Sequence, residues 1–212
     1  MPKHLLSNML KNTALLMNRI LFIFFLILSH ICMSQEFNAG PVIGLNTSQV
    51  SGDGLGGFNK VGLSIGGFIH RKFNVLQAQM ELKYVQKGSR ELINNDTYHD
   101  GYKFHLNYIE VPLLIKKRIQ KNTMGEIGFS FGQLLNWHES YNGIDENYID
   151  VKKTEYSILI GFEYKITEKI YTNTRISNSI SPIRPHVSNQ TYKWNKGQYN
   201  TSIAFSIYYE LH

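Results

Sequence analysis

The chain of 212 residues holds a single cysteine, Cys32, so neither a disulfide framework nor a multi-cysteine metal site can be built from it. Charged residues make up only 18%. No apolar run approaches the roughly 20 residues that a spanning helix needs, which excludes a helical membrane protein. There is also no internal repeat at the roughly 20 to 50 residue period of solenoids and propellers. Aromatics, by contrast, are abundant: 13 Tyr, 12 Phe and 2 Trp make up 13% of the chain. That composition excludes disorder as the main state, because disordered chains are poor in aromatics and rich in charge.

The N-terminal segment has the layout of an export signal. Residues 1–19 carry Lys3, Lys11 and Arg19 and no acid, and an apolar stretch, Ile20–Ile31, follows. Cys32 and Ser34 then stand at positions −3 and −1 before Gln35. Positive, apolar and small-residue regions in this order make a secretory signal peptide, so cleavage is expected before Gln35. A dozen apolar residues interrupted by Ser29 and His30 are too short for an anchor helix. Ile31 is too large for the position before a lipidated Cys32, which argues against a lipoprotein. Met17 opens a compact signal by itself and is the expected start. We therefore divide the chain into a signal peptide, 1–34, and one domain, 35–212. Removing three bases leaves 22 − 3 = 19 against 16 acids, a net +3. So small a surplus on an exported chain argues against nucleic acid as a partner.

The mature chain alternates with period two. Thr201, Ile203, Phe205, Ile207, Tyr209 and Leu211 share one face, while Ser202, Ala204, Ser206, Tyr208 and Glu210 share the other. Strict alternation of this length is a strand and cannot be an amphipathic helix. The same test finds strands at 61–70, 76–84, 126–132 and 155–164, with weaker ones at 38–48 and 169–179. In 103–117 the apolar series Phe104-Leu106-Tyr108 and Ile109-Val111-Leu113-Ile115 are out of step, so a bulge near Tyr108, with Pro112 at the same irregularity, is expected.

Eight strands result, and the links between them alternate in length. Those at 49–59, 88–102, 136–153 and 180–198 are long and polar, whereas 72–74, 118–123 and 166–168 are tight turns. Outer-membrane barrels have this asymmetry, with short periplasmic turns and long external loops. A soluble sandwich or lipocalin-like barrel alternates too, and periodicity does not say which face points inward. Small uncharged residues on the polar faces fit a narrow lumen. Tyr84, Tyr102, Phe104, Tyr156, Tyr164 and Tyr209 fit interfacial aromatic girdles. The predicted fold is all-β: an eight-stranded antiparallel up-and-down transmembrane β-barrel in the cell outer membrane.

Particular stretches carry a resemblance. Gly44-Leu45-Asn46, the glycine-rich second strand, Glu81-Leu82-Lys83-Tyr84-Val85-Gln86-Lys87-Gly88-Ser89 and Tyr108-Ile109-Glu110-Val111-Pro112-Leu113-Leu114-Ile115-Lys116 resemble the PorT-type outer-membrane β-barrel family across nearly all of 37–211. The resemblance implies an eight-stranded barrel in a Gram-negative outer membrane. It also implies a structural or accessory role in the cell envelope, with support of a protein-secretion system among the roles expected, since the founding member is linked to one. The chain departs from the usual barrel-assembly signal by ending in His212 rather than Phe.

Chemical motifs are sparse. Glu81, Lys83, Glu110, Glu126, Glu155, Glu163, Arg175 and Glu210 occupy polar faces, and we expect them to form a structural set of lumen charges, with Arg175 and Lys83 as the main counter-charges. The sharper reading of these acids is a proton path or catalytic pair. No His-Glu-x-x-His or phosphate-loop motif occurs, and Gly52-Asp53-Gly54-Leu55-Gly56-Gly57 lacks the following Lys-Ser/Thr. His138-Glu139-Ser140 contains triad residue types, but adjacency is not triad geometry. Asp145, Glu146 and Asp150 lack EF-hand spacing and read as a solvated acidic loop. Arg184, His186, Tyr192, Lys193, Trp194 and Lys196 suit lipopolysaccharide phosphates, a partner protein, or plain surface anchoring. We expect no enzyme activity, catalytic residue, metal or cofactor. The expected partners are outer-membrane lipid and lipopolysaccharide, the barrel-assembly machinery and secretion-system proteins. The alternatives are an enzyme with its site in external loops and a narrow ion pore.

Overall fold

A computed structural model describes residues 37–92, 101–146, 149–186 and 197–211. The expected signal peptide therefore lies outside the described residues. Within them the alternating segments become β1 (Asn38–Ser51), β2 (Lys60–Phe73), β3 (Leu76–Arg90), β4 (Tyr102–Gln120), β5 (Thr123–Tyr141), β6 (Ile144–Asp145), β7 (Thr154–Lys165), β8 (Ile170–Ser179) and β9 (Tyr199–Tyr209). Eight long strands pair antiparallel with their neighbours, and β1 pairs with β9 to close the wall. The ninth segment, β6, folds back on the end of β5 through Asn142 (φ 53°) and Gly143 (φ 79°). An Asn-Gly pair with both φ positive is the turn whose twist matches a two-residue hairpin. The segment read as a long loop from 136 thus begins as strand.

Exposure settles which face is which. Along β7, Tyr156, Ile158, Ile160, Phe162 and Tyr164 are exposed, whereas Glu155, Ser157, Leu159 and Glu163 are buried. The same arrangement runs round the wall, with Leu45, Leu82, Ile127 and Phe205 all more than half exposed. A soluble barrel would reverse it, since exposing so much apolar surface to water is unfavourable. Polar residues inside and apolar residues outside match a wall bathed in lipid.

Two expectations need correcting at β4. Its alternation is unbroken: Phe104, Leu106, Tyr108, Glu110, Pro112, Leu114 and Lys116 all point inward. The register does shift beside Tyr108, but the extra residue is Leu135 on β5, because Asn107 pairs with Asn136 and Tyr108 with Leu134. The bulge turns Trp137 and Glu139 inward beyond it. Pro112 stands apart from that bulge. It interrupts the β3 ladder opposite Glu81 without changing register, as a residue lacking an N–H must.

The two series in β4 are out of step because the interior changes character along its length. Near the long loops it is apolar: Val50, Phe104, Leu106, Tyr108, Leu134, Val151 and Ile183 form a buried cluster. Phe104 is therefore an interior residue, and Tyr102 packs against the same cluster, so neither belongs to an outer girdle. Tyr156, Tyr164 and Tyr209 do stand exposed on the outer wall. Ile183 reaches the cluster because the β8–β9 link folds inward, with backbone bonds to Gln198 and Lys152.

Candidate functional site: the charged interior

Below the apolar cap the lumen is filled by ion pairs. The centre is Arg175 on β8, whose guanidinium donates to both oxygens of Glu81 on β3 at 2.9 Å each, and through Nε to Glu126 on β5 at 2.6 Å. This fork spans the barrel from wall to wall. Glu81 also accepts from Lys83 (2.9 Å), Gln79 (2.7 Å) and the Tyr208 hydroxyl (2.9 Å). A buried carboxylate with this many donors is compensated for the loss of water.

Two further centres flank it. Towards the loops, Lys87 bridges Glu110 (2.5 Å) and Glu155 (2.6 Å), and Glu155 accepts from Asn200 (2.5 Å) and Ser157 (2.9 Å). Towards the turns, Lys116 bonds Glu163 and lies 3.4 Å from Glu126. Glu210 sits at the lumen mouth, accepting from Asn38 (2.6 Å) and Tyr171 (2.8 Å) with His70 at 3.7 Å.

All eight expected lumen charges are buried, and the structure draws Glu81, Lys83, Glu110, Glu126, Glu155, Glu163 and Arg175 into one column, with Glu210 at its lower edge. The expectation about counter-charges needs amending. Lys83 serves only Glu81 among these pairs, whereas Lys87 and Lys116 each bridge two carboxylates. Both were legible, because continuing the period of β3 from Glu81 and Lys83 reaches Lys87, and continuing β4 from Glu110 reaches Lys116. Taking Lys87 for the edge of a loop and leaving β4 unphased hid them.

The triad types at His138-Glu139-Ser140 are not brought together as a catalytic set. His138 is exposed beside Asp145 at 3.5 Å, while Glu139 points inward. Glu139 pairs bidentately with Arg184, which also bonds Gln198 (2.6 Å) and the Tyr102 hydroxyl (3.1 Å) and lies 4.2 Å over the Phe104 ring. Burial works against the charge on Arg184, and the Glu139 hydrogen bond, with Tyr102, more than offsets it, raising its pKa. Arg184 is 1% exposed, so it fastens the β8–β9 link inside and is not a surface contact for lipopolysaccharide. Tyr192, Lys193, Trp194 and Lys196, like the final His212, lie outside the described residues. Among the described residues no three His, Cys, Asp or Glu side chains converge as a metal site. A lumen cavity of about 20 Å³ beside Lys83, Lys87, Glu110 and Arg175 has room on the order of one water.

A family profile described as the outer membrane protein beta-barrel domain matches residues 33–184. The chain belongs to this family. Its place is accordingly the outer membrane. The barrel superposes on Ail, the attachment invasion locus protein of Yersinia pestis, with a TM-score of 0.50 at 14% identity, covering 83% of this chain and 99% of Ail. Neisserial surface protein A is similar at 13% identity and a TM-score of 0.48, over 82% of this chain and 96% of its own. Identities this low speak to the fold alone. No curated protein matches the sequence.

Proposed function

We propose that this is a structural barrel of the cell envelope, of the PorT type, that supports a protein-secretion assembly through its loops and outer wall. The observation that carries the reading is the filled lumen. Carboxylates and cations close on one another from wall to wall at hydrogen-bond distance, and an apolar cluster seals the end towards the loops. An ion path needs charged groups that face water and release their ions. Here each centre is already occupied by its own counter-charge. A catalytic carboxylate needs access to substrate, and these lie beneath the cap. The lumen charges are then structural, and no catalytic role falls to them.

Two measurements test this. Deleting the gene and comparing secreted proteins should reduce secretion, and unchanged secretion would remove the accessory role. The purified barrel in planar bilayers should stay electrically silent, and stepwise conductance would restore the narrow pore.

A further inference from the structure

The charge at the two ends and turns of the barrel is unevenly distributed. The three short turns share one end with the start of β1 and the end of β9, since Glu210 bonds Lys169 and Leu211 bonds Ala39 through the backbone. By the architecture of the family this is the periplasmic end. Its β7–β8 turn carries Lys165, Glu168 and Lys169, and Glu168 pairs with Lys165 at 2.6 Å. The β2–β3 and β4–β5 ends differ: residues 71–76 and 116–124 contain Arg71, Lys72, Lys117, Arg118 and Lys121 beside the inward Lys116, and no acid.

Two hollows lie near one another on this side. One, of about 460 Å³, lies on the lipid-facing wall, where Ala78 makes a low floor among Ile69, Phe73, Met80, Leu113 and Ile115. The other, of about 520 Å³, lies between the two turns and is lined by Lys72, Lys117, Arg118 and Lys121 beside Ile119 and Met124. The ladder joins them, pairing Ala78 with Ile115 and, two residues on, Leu76 with Lys117. Two strand residues span roughly 7 Å, so the lining of the apolar hollow lies within one side chain's reach of the cationic one. At their border Arg71 lies 4.6 Å over the Phe73 ring.

We propose that these neighbouring hollows bind one anionic phospholipid of the periplasmic leaflet. An acyl chain lies over Ala78, and the headgroup phosphate is held by Lys117, Arg118 and Lys121. Guanidinium and ammonium groups together suit a phosphodiester. Polybasic segments at a membrane surface select anionic lipid. An acidic periplasmic protein fits less well, because the apolar hollow lies on the lipid-facing wall.

The test uses full-length mature protein in lipid-free detergent, with native mass spectrometry reading bound lipid. Dioleoyl phosphatidylglycerol should be retained at least about tenfold better than the phosphatidylcholine with the same chains. K117Q/R118Q/K121Q should abolish that preference. Ala78→Phe should reduce binding of both lipids, and K165Q/K169Q should change neither. A heat-modifiability gel confirms that each variant has closed, and Lys121→Gln alone replaces the triple variant if that one fails to close. Three results would overturn the proposal. They are a preference that survives the triple variant, equal loss in K165Q/K169Q, and inorganic phosphate displacing phosphatidylglycerol at equal concentration, which would make this a phosphate site without lipid.

Discussion

Truncating Arg175 to Ala removes three short charged hydrogen bonds, two to Glu81 and one to Glu126, from a side chain that is 4% exposed. Breaking a buried pair by deleting one partner costs about 3 to 5 kcal/mol, most of it the penalty of stranding the other charge. Here two carboxylates are stranded, but neither is abandoned. Glu81 keeps Lys83 and the Tyr208 hydroxyl, each at 2.9 Å, and Glu126 keeps Lys116 at 3.4 Å. The loss should therefore fall near the lower limit, about 3 kcal/mol. The control is Arg175→Met combined with Glu126→Gln, which removes one charge of each sign, leaves Glu81 with Lys83 and Lys116 with Glu163, and should recover most of the stability. At acid pH the single variant should lose less, because protonation neutralises a stranded carboxylate. Urea unfolding in lipid vesicles, followed by tryptophan fluorescence at pH 7 and pH 4, reads all of this. Unchanged stability of Arg175→Ala at both pH values would refute the structural reading of the lumen, the more so if conductance or an activity were lost instead.

Four further outcomes are expected. Ile160, 55% exposed at mid-strand on the outer wall, should cost about 2 to 4 kcal/mol when replaced by Arg, measured by folding into bilayers. Gly161→Val should cost about 1 to 3 kcal/mol in the same assay, because its Cβ would stand 2.8 Å from Glu126 Oε1 and 2.6 Å from the Thr174 carbonyl. In the β1–β2 loop, burial raises the pKa of Asp53, against the Ser89 hydrogen bond, the Leu55 amide and Arg184. A raised carboxyl contributes stability that is present below its unfolded value and lost as pH rises through the folded one. Hydrogen exchange should therefore show residues 52–59 better protected at pH 4 than at pH 7, with Asp53→Asn removing the difference. Mass spectrometry of protein from membranes should give a mature N-terminus at Gln35, and retention of residues 1–34 would overturn the signal assignment.

Period-two patterning and the alternation of long and short links determined the strands, their number and the end that carries the turns. These are local properties, since side chains on a pleated strand alternate whatever the strand packs against. Closure of the wall decided the rest. Whether apolar faces look to lipid or to a core depends on the solvent around the barrel, so period-two patterns are the same in both. Phe104 and Tyr102 look like girdle residues in sequence but point inward, because near the loops the lumen itself is apolar. Lys87 and Lys116 looked like ends of strands and proved to bridge carboxylates on other strands. Glu81 and Arg175 are 94 residues apart. Sequence placed each on a polar face, but only the curvature and register of the closed wall could aim one at the other.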